Sequence, residues 1–115
     1  MGKMTTVTNQ WREMVVTLAL VDKPPADIEA SVFGCFSLHL TCEGNDLLWI
    51  VTHAPTGYKV AAYSWDTHHS VDVKLMIEAL QAIHGDAWNT ESVAKTGAML
   101  SKCVDVWATG ARVTA

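Results

Sequence analysis

From Ser31 onward the chain alternates between apolar and polar positions. In SVFGCFSLHLTC, Phe36, Leu38 and Leu40 are apolar while Ser37, His39 and Thr41 point the other way, the period of a half-buried strand. The polar EGND that follows holds Gly44 and Asn45, residues suited to a turn. A second strand is expected over Leu47–Ala54 and a third over Tyr58–Trp65. Between them, Ala54-Pro55-Thr56-Gly57 has the make-up of a type I turn closed by a left-handed glycine. Pro55 presets φ and Gly57 takes the conformation a side chain would resist.

These two turns set registers independently. The first pairs Cys42 with Leu47, Leu40 with Trp49 and Leu38 with Val51. The second pairs Ala54 with Tyr58, Thr52 with Val60, Ile50 with Ala62 and Trp49 with Tyr63. Both put Phe36, Leu38, Leu40, Trp49, Val51, Ala61, Tyr63 and Trp65 on one face. The opposite face then carries Phe33, Cys35, His39, Leu48, Ile50, Thr52, Tyr58, Val60 and Ala62. That set is too apolar for bare water. It is expected to be covered, by an N-terminal helix, a second copy or a target protein. Its candidate partner-binding residues are Phe33, His39, Leu48, Ile50, Thr52, Tyr58 and Val60.

Outside the sheet the period lengthens. Asn9–Asp22 places Trp11, Met14, Val15 and Leu18 at helical spacing, with Thr8 or Asn9 as cap and Pro24-Pro25 as stop. Val15, Val16 and Thr17 are β-branched and favour a strand instead; the helical spacing is the reading adopted. KPPADIEA then reads as a connector. Ser70 precedes VDVKLMIEALQAIHG, whose stripe Val73, Met76, Ile77, Leu80 and Ile83 predicts a helix over about 71–84 ending at Gly85. A last helix is expected over about 90–107, capped by Asn89 or Thr90, with Val93, Gly97, Leu100, Val104 and Trp107 along one side. Gly97 there would allow a close neighbour. The expected class is α+β: a three-stranded antiparallel sheet (about 32–42, 47–54 and 58–65), an N-terminal helix and two C-terminal helices. One domain spans 1–115, with 1–8 and 108–115 frayed.

Composition narrows the functions. Half the residues are hydrophobic and 17% charged, the balance of a chain that folds. Five tryptophans must be buried or used in contacts. A net charge of −4, with Lys3, Arg12, Lys23, Lys59, Lys74, Lys95, Lys102 and Arg112 scattered, argues against nucleic-acid binding. No apolar run reaches a membrane span, and the start lacks a secretion layout. Three cysteines cannot all pair, which suits a reducing cytoplasm. Met1-Gly2-Lys3-Met4-Thr5-Thr6 has the loose form of a myristoylation start, and a cloning remnant or a start at Met4 accounts for it equally well.

Five histidines raise the question of metal or acid–base chemistry. Asp66, His68 and His69, with Asp72 nearby, are weak metal candidates, since adjacent histidine side chains diverge. His53, at the hairpin tip beside Phe36 and Lys59, lacks a local carboxylate and nucleophile, and reads as a half-buried core-margin residue. His39 points away from the core and His84 closes a helix, where a cation suits the dipole. Cys35 and Cys42 fall on opposite faces of one strand and cannot bridge. No phosphate loop, nucleophile elbow or Cys-x-x-Cys occurs. The sequence leans against catalysis, and no cofactor is implied.

WIVTHAPTGYKVA, VDVKLMIEALQAI and DAWNTESV together resemble small phage and mobile-element proteins with a Trp-x-Val-Thr-His-x-Pro-Thr-Gly hairpin. The resemblance covers about residues 49–93, carries no catalytic residue, and implies a short accessory protein. Inhibitors of host defence, including anti-CRISPR proteins, are frequent in that class. A member of that class would act in the cytoplasm of a bacterial host on a protein or ribonucleoprotein complex, and the apolar second sheet face makes a homodimer possible. A looser likeness is to the three-stranded DNA readers of integrase arm-binding type, which present Arg and Lys from their strands; here only Lys59 stands so. The expected function is thus non-catalytic protein binding. A sheet-based nucleic-acid binder and a small metal-dependent hydrolase on Asp66, His68 and His69 are the alternatives.

Overall fold

The computed structural model describes residues 10–20 and 22–103. Thr8 and Asn9, the Met1–Thr6 start, Val104, Trp107 and the two expected frayed ends lie outside these residues. The chain forms β1 (Arg12–Leu18), β2 (Ala26–Phe33), β3 (Phe36–Glu43), β4 (Asp46–His53) and β5 (Tyr58–Ser64), then α1 (Ser70–His84), a 3-10 turn (Gly85–Trp88) and α2 (Val93–Ser101). The strands form one antiparallel sheet in chain order.

The expected N-terminal helix and three-stranded sheet are therefore corrected: residues 12–18 are a strand, and the supposed connector supplies another. Arg12 pairs with Val32 and each position on to Leu18 with Ala26. In β2 the apolar Ala26, Ile28, Ala30 and Val32 alternate with Asp27, Glu29 and Ser31. Met14, Val16 and Leu18 lie opposite Ala30, Ile28 and Ala26, and Thr17 Oγ1 donates to Asp27 Oδ1 at 2.6 Å. The helical spacing of Trp11, Met14, Val15 and Leu18 is outweighed because pairing satisfies the backbone and buries Val16.

The first two turn registers are as expected for Leu38–Val51, Leu40–Trp49, Cys42–Leu47, Trp49–Tyr63 and Ile50–Ala62. The hairpin tip differs by one residue. His53 pairs with Tyr58 and Thr52 with Lys59, and the register shifts between Val51 and Thr52. Val60 is thereby an extra residue in β5, which turns it to the helix side of the sheet. Gly57 has φ of 77° and its N–H donates to the His53 carbonyl at 2.8 Å.

α1 packs on one face through Val73, Met76, Ile77 and Leu80, all fully buried with Phe36, Leu38, Val51 and Trp88. Ile83, expected in that stripe, is largely exposed. The α1 N-cap is His69 rather than Ser70. α2 is shorter than expected, and its cap is Ser92, whose Oγ accepts the Lys95 N–H at 3.1 Å. Gly97 faces open space, so no neighbour uses its missing side chain. Gln81 of α1 is buried and accepts the Cys35 N–H at 2.8 Å, clamping the β2–β3 turn where Gly34 has φ of 60°.

The other face is covered by the sheet itself. β2 pairs with β3 only from Ser31–Phe33 to Phe36–Leu38, then parts from it and carries β1 across. The end of β1 reaches the β4–β5 hairpin, where the Ala19 N–H donates to the Gly57 carbonyl at 2.8 Å. Ile50 and Thr52 beneath are 6% and 1% exposed. A Cβ on Gly57 would lie 2.6 Å from the Thr17 carbonyl oxygen and 3.0 Å from the Ala19 nitrogen. Gly57→Ala is therefore expected to cost at least about 1 kcal/mol from backbone strain, with the collision against backbone adding to it. Denaturant unfolding checks this; an unchanged midpoint would mean that β1 is not held at the hairpin.

Candidate functional site

The hairpin tip is a satisfied structural node. His53 is fully buried, with Nε2 2.7 Å from the Trp88 carbonyl and Nδ1 2.9 Å from Thr56 Oγ1. A carbonyl only accepts, so Nε2 carries the proton and donates, and in the neutral ring Nδ1 accepts from the Thr56 hydroxyl. Phe36 and Trp88 stand at its sides, ring centroids 5.6 and 6.2 Å away. Trp88 in turn donates Nε1–H to the Leu80 carbonyl at 2.9 Å. With both nitrogens engaged, no free base remains there.

The loop after β5 is likewise internally bonded. The His68 ring lies 5.1 Å from the Tyr63 ring, its Nδ1 is 2.9 Å from Thr67 Oγ1, and its carbonyl accepts the Trp49 Nε1–H at 3.0 Å. Asp66, His68 and His69 are not brought together as ligands. Among the described residues no three His, Cys, Asp or Glu side chains are grouped to hold a metal ion. Cys35 is buried, and burial, with the Asp86 charge second, raises its thiol to about 11. It is not a nucleophile near neutral pH.

The expected partner-binding residues are dispersed. Phe33 stacks beside Trp11 at 5.3 Å and Val60 packs on the helix-side core. Cys35 also belongs to that core, while Tyr58 and Ala62 are exposed. His39, Leu48, Ile50 and Thr52 do share the second face by register. Ile50 and Thr52 are buried under β1, and Leu48 is half-buried. Among the described residues the cover is thus the β1–β2 ribbon rather than the expected N-terminal helix.

Between that ribbon and the sheet runs a cleft of about 520 Å³. His39, Thr41 and Glu43 of β3 and Ile50 and Thr52 of β4 form its floor, and Leu18, Ala19 and Leu20, joined to the hairpin residues Gly57, Tyr58 and Lys59 through the Ala19–Gly57 hydrogen bond, complete the lining. Thr52 Oγ1 and His39 Nδ1 are buried without a hydrogen-bond partner, as is Ser37 Oγ on the same face. Burial also lowers the His39 pKa. The ADIEASV alternation would have revealed β2, but Leu18 and Leu20 carry no signal for the cleft.

The opposite face is left partly open. Leu40, Trp49 and Tyr63 form one cross-strand row; Cys42 and Leu47 form the next, beside Trp65, whose N–H donates to the Leu47 carbonyl at 3.0 Å. Tyr63 is buried and Trp49 half-buried, yet Leu40, Leu47 and Trp65 are 43, 40 and 49% exposed. Leu40 and Trp65, expected in the core, thus stand at its uncovered end. No helix among the described residues is long and apolar enough to cross a membrane.

No protein-family model, curated protein or solved structure matches this chain.

Two predictions arise. Burial lowers the His53 and His39 pKa below the ordinary 6.5, against a smaller raising effect of the Trp88 carbonyl on His53. The unfolded chain then binds more protons below about pH 6.5, so stability is full above that value and falls as the pH drops toward the folded-state pKa. Melting temperatures from pH 8 to 5 should decline accordingly, with a shallower slope in His53→Gln; a flat profile contradicts it. Thr52→Val replaces an unpartnered buried hydroxyl by a methyl group of similar size. It should raise stability by about 1–3 kcal/mol, read from urea unfolding, and a loss would show that the hydroxyl is satisfied.

Proposed function

We propose that this protein acts without catalysis, by binding another protein through the open end of its helix-bearing sheet face. The observation that carries this reading is the cluster of Leu40, Leu47 and Trp65 on adjacent strands, each at least 40% exposed. Contiguous exposed apolar side chains on a folded sheet mark contact surfaces, and tryptophan is among the residues enriched where binding energy concentrates. The hairpin resemblance extends the proposal to an accessory protein of phage or mobile-element type. Its partner is then a bacterial defence complex met in the cytoplasm. A nucleic-acid reader of three-stranded type needs a free sheet face lined with cations; here one face carries α1 and the other is crossed by β1.

The test is biological and structural together. Expression of the chain in bacteria carrying a CRISPR defence should restore phage plaques, and Leu47→Lys with Trp65→Lys should reduce that restoration at least tenfold. Melting temperature should stay within about 1 °C, because exposed substitutions seldom alter stability. Full restoration by the double variant removes the patch from the mechanism, and no restoration by the native chain removes the defence target. A dimer in light scattering that the same variant converts to monomer would assign the patch to a second copy instead.

A further inference from the structure

We propose that the cleft under the β1–β2 ribbon binds a small, mainly aliphatic molecule that ends in a neutral hydrogen-bonding group, a hydroxyl or a primary amide. This goes beyond the contact surface, which lies on the other face of the sheet.

Size and lining set the body of the ligand. At about 520 Å³ the cleft falls within the range of small-molecule sites. Leu18, Leu20, Ile50 and Tyr58 give it apolar walls and floor. These surfaces suit an aliphatic chain better than a flat, polar ligand.

The floor sets the end group. Thr52 is 1% exposed and its Oγ1 has no partner, and neither does His39 Nδ1 on the neighbouring strand. Buried polar atoms are nearly always paired in folded proteins, so two unpaired ones in the lining of one cleft call for a guest that supplies the bonds. Both atoms are closed to solvent as the side chains stand. A turn of Thr52 by about 120° in χ1 carries the hydroxyl to the place of the methyl group and the methyl to that of the hydrogen, and a half-turn of the His39 ring exchanges Nδ1 for a carbon. Each re-aims the polar atom of a residue that lines the cleft without moving the backbone. A threonine hydroxyl donates and accepts, and a neutral imidazole offers one donor and one acceptor. A hydroxyl or primary amide meets both. A charged end group does not suit the floor, since the charged side chains in the lining, Lys59 and Glu43, are both exposed.

The test uses the whole chain with 1-octanol and octanamide, against octanoate and octylammonium of equal length. Amide shifts in two-dimensional NMR should saturate with both neutral probes at Leu18, His39, Ile50, Thr52 and Gly57. Thr52→Val should weaken octanamide at least tenfold, and His39→Phe should do likewise, both folded by their amide dispersion. Leu18→Trp, which fills the cleft, should abolish the shifts. The proposal is overturned if neither neutral probe saturates at millimolar concentration. It is equally overturned if the shifts gather at Leu40, Leu47 and Trp65, or if Thr52→Val binds octanamide as tightly as the native chain. Equal binding of octanoate or octylammonium overturns the neutral end group.

Discussion

One backbone hydrogen bond organises the molecule: the Ala19 N–H to the Gly57 carbonyl, 2.8 Å long. It joins the end of the first strand to the tip of the last hairpin and makes a five-stranded sheet curl over its own second face. Gly57 makes the approach possible, because a side chain there would collide with the Thr17 carbonyl. The extra residue at Val60 assists, since a bulge bends its strand and increases local twist. Without that closure Ile50 and Val32 would stand in water, and the sheet would need another cover.

Two kinds of buried polar group follow from this geometry, and they differ in outcome. His53, Thr56, Trp88 and Leu80 form a chain in which every donor meets an acceptor. This chain ties the 3-10 turn to the hairpin and anchors the aromatic core. Gln81 does the same at the β2–β3 turn, bonding Cys35 and, through Nε2, the Gly85 carbonyl. Under the ribbon, in contrast, Ser37, His39 and Thr52 each leave a buried atom unpaired. Interiors seldom retain such atoms without a use, and His39 and Thr52 belong to the lining of the cleft.

The two sheet faces thus differ in how they are covered. The helix-bearing face is closely packed around Trp88 but ends in open tryptophan and leucine, because α1 covers only part of its length. The curled face is closed by strands and keeps a cleft instead. Contact with another protein and enclosure of a small molecule would therefore use separate surfaces of one small sheet.

Local chemistry made much of this legible in the sequence. Proline at the hairpin tip restricts the backbone, and the glycines there and after Glu43 permit the positive φ that these turns need. The turns around them set the Leu38–Val51 and Trp49–Tyr63 pairs without reference to the rest of the chain. The spacing of Val73, Met76, Ile77 and Leu80 likewise declared a helix with one buried side. The segment around Val15 was ambiguous, since its apolar residues fit both periods; only pairing with β2 decided it. Which face is covered, that Leu40 and Trp65 are left open, and that Thr52 goes unpaired were all decided by tertiary structure. The cover and the unpaired hydroxyl depend on where a strand about forty residues away crosses the hairpin, and the open end on how far α1 reaches; turn chemistry and periodicity report only on neighbours along the chain.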